Sequence, residues 1–112
     1  LYIRITYQKF AVLYVEARGK LDIYNAPDYL DEVKEALHKT FARKIILDFS
    51  GIINVASIGL RTILELYKMM QERKGLLELK NVNDDVLRAF ELTGFDKFLT
   101  IKNDSEDNPD NI

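Results

Sequence analysis

Leu47-Asp48-Phe49-Ser50-Gly51-Ile52-Ile53-Asn54-Val55-Ala56-Ser57-Ile58-Gly59-Leu60 is the stretch that decides the fold. It reads as a buried strand, a short loop and a serine at the threshold of a helix. Lys44 to Leu47 is a compact apolar run of the kind used by a strand covered on both faces or central in a sheet, and Asp48 ends it. After the loop, Leu60, Ile63, Leu64, Tyr67 and Met70 follow the helical period to about Lys74, where Gly75 stops the helix. Ser57 then stands beside unpaired N–H groups and the positive end of the helix dipole, a place that suits a capping hydroxyl and also tolerates a phosphate.

Downstream, Leu76 to Leu79 is a second strand of the buried type, and strand, helix and strand together form a crossover unit with parallel pairing. Asn83 caps a third helix through Leu92, with Val86, Leu87 and Phe90 facing the core and Gly94 as the left-handed exit. Phe95 and Phe98 are expected to close the core, and Leu99 to Lys102 adds a short strand. Upstream, Leu1 to Thr6 and Ala11 to Ala17 alternate and form an antiparallel pair joined at Gln8-Lys9. Arg18-Gly19-Lys20 interrupts the pattern. Asn25 is a good N-cap, with Pro27 in the first turn of a helix that runs to about Thr40 and carries the stripe Ala26, Leu30, Val33 and Leu37.

The organisation expected is a single α/β domain over residues 1–102, followed by an acidic, flexible tail over 103–112. The chain has 112 residues, enough for a core without staples. It has no cysteine, which excludes disulfides, thiolate zinc sites and a cysteine nucleophile. Sixteen basic and eighteen acidic residues leave a net charge of -2 with no basic run, so nucleic acid is not an expected partner. No apolar run approaches the roughly 20 residues of a membrane span, the start lacks a signal-peptide layout, and the chain is expected in the cytoplasm.

Chemistry is sparse. Ser57 and Gly59 match half of a nucleophile elbow, but Val55 stands where its first glycine belongs, and the single histidine, His38, falls near the end of the first helix. Asp84-Asp85 are ordinary dipole partners in a first helical turn. Ser57, Arg61, Glu65, Lys68 and Glu72 share one side of the second helix, away from its apolar stripe. No catalytic residue, metal or cofactor is assigned.

Four ordered motifs make the chain resemble a STAS domain of the bacterial anti-sigma factor antagonists, from about Leu1 to Ile101. They are Gly19-Lys20-Leu21-Asp22 with Asn25-Ala26-Pro27, Leu47-Asp48-Phe49-Ser50-Gly51, Ser57-Ile58-Gly59-Leu60, and Leu92-Thr93-Gly94-Phe95-Asp96. The resemblance implies a mixed sheet of four to five strands with helices mainly on one face. It also implies a non-enzymatic partner switch, in which the antagonist binds an anti-sigma factor of the serine kinase type until the serine matching Ser57 is phosphorylated. The implied partner surface comprises Asp22, Asn25, Ala56, Ser57, Ile58 and Arg61.

The chain departs from the family pattern Asp-Ser-Ser-Gly-Leu at Ala56 and Ile58, and Arg61 replaces a commonly small residue. Arg61, one turn after Ser57, is placed to approach a phosphate there. A STAS scaffold or regulatory module without a phospho-switch is the alternative.

Overall fold

The structure, a computed structural model, describes residues 1–102; the expected tail at 103–112 lies outside the described residues. The order is β1 (Tyr2–Gln8), β2 (Val12–Leu21), α1 (Ala26–Lys39), β3 (Lys44–Val55), α2 (Ser57–Glu72), β4 (Leu76–Lys80), α3 (Asp84–Thr93), a 3-10 turn (Phe95–Lys97) and β5 (Thr100–Lys102). One sheet takes the strands in chain order, with β1 antiparallel to β2 and every later pair parallel. No helix among the described residues is long and apolar enough to cross a membrane.

Strand alternation separates the sheet's two faces. Leu13, Ile45 and Leu77 lie in register across β2, β3 and β4, as do Val15, Leu47 and Leu79, and all six are buried. The helices supply Val33 and Leu37, Ile63, Leu66 and Met70, and Val86 and Phe90 to the same core. Each such side chain contributes about 1.5–3 kcal/mol by leaving water. Residues of the opposite phase form the polar face, where the Tyr14 hydroxyl donates to Asp48 Oδ2 at 2.7 Å and Lys44 pairs with the buried Glu78 at 2.8 Å.

Asp48 anchors that face. Burial pushes its carboxyl up, but donors from Tyr14, Ser50 and Asn81 outweigh this and hold it below the usual aspartate value. A folded value below the unfolded one means that its stabilisation is present above about pH 4 and is lost as pH falls through the lowered value. Acid unfolding followed by circular dichroism should therefore be shallower in Asp48→Asn, which has no such proton to gain.

Several sequence expectations need correction. β2 is not interrupted at Arg18-Gly19-Lys20; it continues to Leu21 through register shifts between Glu16 and Arg18 and between Gly19 and Lys20. Nor does β3 end at Asp48. Its second half pairs with Gly19, Lys20 and Leu21, so the expected loop is mostly strand. α2 ends at Glu72, and Lys74 (φ 58°), not Gly75, takes the left-handed exit. Gly75 is needed for a close approach, since a Cβ there would stand 2.5 Å from the Arg43 carbonyl oxygen.

Within the core, Tyr29 and Leu66 are buried, whereas Leu30, Leu64 and Tyr67 are only partly so. Leu99 is buried just before β5, while Phe98 stays 40% exposed with its ring against Tyr67 and Phe95. The Asn83 cap and the Gly94 exit (φ 80°) are as expected.

Tyr29 carries the one buried side-chain polar atom left without a hydrogen bond among the described residues. Complete burial pushes its phenol well above the usual range. Removing an unsatisfied buried hydroxyl while keeping the ring relieves a desolvation cost, so Tyr29→Phe should gain about 1–2 kcal/mol in denaturant unfolding. A loss of stability would show that the hydroxyl has a partner.

Candidate functional site

The loops at the C-terminal ends of the parallel strands converge around Ser57. The Ala56 N–H donates to the Leu21 carbonyl at 3.0 Å, joining the start of α2 to the end of β2. Gly59 makes this junction possible: a Cβ on it would meet the Leu21 carbonyl oxygen at 2.5 Å and Val55 Cγ1 at 2.8 Å.

Ser57 is the first residue of α2 rather than its cap. Ala56 holds the cap position without a side-chain bond, and no acidic residue occupies the first turn. The serine is exposed, and no hydrogen bond of its hydroxyl occurs among the described residues. The helix therefore presents uncapped N–H groups, and an anion there meets the favourable end of the dipole.

Asp22 and Asn25 hold the adjoining loop in shape. Asp22 Oδ1 accepts from the backbone N–H groups of Tyr24 at 3.0 Å and Asn25 at 3.1 Å, forming an Asx-type turn. Asn25 does not cap α1 with its side chain; its amide donates to the Lys20 carbonyl at 3.0 Å. The result is a fixed loop that turns Ile23 and Tyr24 outward, 66% and 84% exposed. Ile53 is exposed on the neighbouring strand, and the Asn83 amide, which donates to the carbonyls of Ile52 and Ile53, ties α3 to the same end.

Sequence reasoning missed Ile23, Tyr24 and Ile53. The available signal was a pair of large apolar residues after Asp22 that belong to no strand or helix period.

The remaining expected residues divide. Ile58 is half-buried and lines a groove of about 220 Å³ between α1 and α2, together with Pro27, Leu30, Arg61, Thr62 and Glu65. Arg61 is exposed, while Glu65, its neighbour one turn on, pairs with Lys34 at 2.5 Å. No ion pair of Arg61 occurs among the described residues. Ala56 is partly buried and offers only a methyl group. His38 does not join this group: it lines a cleft with Phe41, Arg43 and Arg73 at the other end of the sheet, so no Ser-His pair forms.

The STAS domain family model matches residues 4–108. The chain belongs to the STAS domain family. This STAS domain is similar to the anti-sigma-B factor antagonist of Listeria monocytogenes, 32% identical over 88 residues that cover 76% of this chain and 74% of that protein. The anti-sigma-B factor antagonist of Bacillus subtilis is 26% identical over 92 residues, covering 82% and 83%. Among solved structures, a Thermotoga maritima protein superposes with a TM-score of 0.83 at 25% identity, over 89% of this chain and 85% of that one. The anti-sigma factor antagonist SpoIIAA in its unphosphorylated form has a TM-score of 0.78 at 16% identity, over 89% and 87%, a likeness of fold.

Proposed function

We propose that this STAS domain is an anti-sigma factor antagonist, a cytoplasmic binding protein without catalytic activity that is switched by phosphorylation of Ser57. Its partner is an anti-sigma factor of the serine kinase type, seated on the end that holds Ser57, Ile58, Asp22, Asn25, Ala56 and Arg61. The names of its curated relatives support the role. The single observation that carries the switch is the exposed Ser57 hydroxyl at an uncapped, acid-free helix start, beside the outward Ile23 and Tyr24. In this reading residues 1–102 form the functional domain and the acidic residues 103–112 are separable from it.

Phosphorylation adds about -1.5 to -2 charges at neutral pH. At the start of α2 that charge is tolerated by the fold but changes what a partner meets. Arg61, which has no ion pair among the described residues, is within one helical turn and supplies a charge-assisted hydrogen bond to the phosphate. In that case, phosphorylation should raise the melting temperature of the wild type more than that of Arg61→Ala. Equal increments would remove Arg61 from the switch.

Affinity capture with wild-type, Ser57→Ala and Ser57→Asp baits tests the main reading. Retention of a kinase-like anti-sigma factor by the first two and its loss by the third supports it. Ala56, which cannot orient the serine hydroxyl, favours a second reading, a STAS scaffold with no phospho-switch. Retention of one partner by all three baits would establish that reading instead.

A further inference from the structure

The end of the sheet opposite Ser57 carries a second exposed cluster. The β1–β2 turn, the segment before β3 and the start of β4 meet there, because the Arg43 N–H donates to the Ala11 carbonyl at 2.8 Å and the Leu76 N–H to the Arg43 carbonyl at 2.9 Å. This row brings Phe10, Phe41 and Leu76 to one end, with Phe10 95% and Phe41 90% exposed. Isolated apolar side chains on a surface are ordinary, but three on neighbouring segments mark a contact region.

Both aromatic residues are held in place. Phe10 and Ala11 have φ of 66° and 58°, a left-handed conformation that a bulky side chain rarely adopts, and the N–H groups of Arg43 and Lys44 both fasten the Ala11 carbonyl. Arg73 donates to the carbonyls of Leu37 and Ala42 on either side of Phe41. Such fixed presentation lowers the ordering cost of burying these rings on a partner. Lys9, Arg43 and Lys74 are exposed around them with no ion pair among the described residues, and they outnumber the one exposed carboxylate beside Lys74, that of Glu72 at the end of α2.

The Ser57 end has the complementary character. Ile23, Tyr24 and Ile53 are exposed there, and the same end holds Asp22 in the loop after β2, Asp28 in the first turn of α1 and Asp84 and Asp85 in the first turn of α3. Lys20 at the end of β2, Arg61 in the first turns of α2 and Arg88 a turn into α3 are exposed cations at this end. Like ends would oppose cation to cation, whereas unlike ends match in charge and both supply apolar surface.

We propose that the Phe10–Phe41 end docks onto the Ser57 end of a second copy of this chain. Because the two surfaces differ, the contact is head-to-tail and extends into open linear assemblies. It covers the rim of Ser57, so self-association and any partner at that end exclude each other. The inference does not depend on the identity of that partner.

Sedimentation of the purified full chain tests it. The average mass should rise with concentration into the millimolar range, and the rise should be larger at about 0.1 M salt than at about 1 M, where the screening length shrinks from roughly 10 to 3 Å. Phe41→Ser/Arg43→Glu, altered at one end, and Tyr24→Ser/Asp85→Asn, altered at the other, should each associate at least about tenfold more weakly. Mixing these two variants should restore a dimer and nothing larger, since one intact surface of each remains. Phe10→Gly should also weaken association while leaving the melting temperature equal or higher, because glycine accepts a positive φ. A wild type that stays monomeric throughout overturns the proposal and leaves this end to a different, acidic partner. Association that the mixed variants cannot restore as a dimer also overturns it.

Discussion

Ser57→Asp is expected to weaken binding of the anti-sigma factor by about 150-fold, roughly 3 kcal/mol, while leaving the fold equally or slightly more stable. The two effects have opposite causes. At the first position of α2 a carboxylate meets uncapped N–H groups and no competing acid, which favours the folded state by about 0.3–1 kcal/mol. To a partner, the same carboxylate adds charge to a surface that already holds Asp22, Asp84 and Asp85. A contact shaped for a neutral hydroxyl must then desolvate an unmatched charge and bear its repulsion.

Calorimetric titration with the captured anti-sigma factor, paired with thermal unfolding, reads both signs. Ser57→Ala should bind within a few-fold of wild type, since the hydroxyl makes no hydrogen bond among the described residues that its loss would break. Weak binding by Ser57→Asp together with a lowered melting temperature would instead trace the loss to damaged structure. Unchanged binding would remove the switch.

Gly59→Ala is the second large effect, and it acts through packing. The added methyl carbon would sit 2.5 Å from the Leu21 carbonyl oxygen, a backbone atom held by the Ala56 N–H, and 2.8 Å from Val55 Cγ1. Val55 can rotate, but the Leu21 backbone is the end of β2, paired directly with Val55 of β3. The first turn of α2 must therefore move outward. Overpacking of this kind costs about 1–3 kcal/mol, visible as a lower denaturation midpoint at unchanged slope.

The displaced turn carries Ser57, so binding should weaken along with stability, unlike in Ser57→Asp. Wild-type stability in Gly59→Ala would show that α2 can move away from β2 without loss. Helix propensity alone favours alanine over glycine by about 1 kcal/mol, so a net loss reports the close approach itself.

The legible parts of the chain were those with local causes. Asn83 accepts from the Val86 N–H three residues on, and Gly94 ends the same helix in a left-handed conformation that few other residues tolerate. Such signals lie within one turn of chain. The apolar spacing of α1 and α2 likewise placed both helices, because 3.6-residue periodicity is a property of the segment alone. Where three-dimensional neighbours chose among similar residues, periodicity failed: Tyr29 and Leu66 went inside, while Leu30 and Leu64 stayed at the margin.

For the candidate site, the motifs named residues that the structure brings to one end of the sheet, but not what each residue does there. Asp22 and Asn25, expected at the partner surface, spend hydrogen bonds on the backbone of their own loop, and the surface they shape belongs to Ile23 and Tyr24. Ile58, which could have faced either way on sequence alone, settles into the groove between α1 and α2.

By itself the sequence determined the α/β class, the order of elements and membership of the STAS family, because these follow from local periodicity, caps and ordered motifs. Only the tertiary structure decided that β3 runs on to Val55, that Ser57 begins its helix uncapped, and that Phe10, Phe41 and Leu76 share one end of the sheet. Those outcomes rest on backbone pairings between segments some 30 residues apart, such as Arg43 with Ala11 and Leu76 with Arg43, which the folded chain alone brings together.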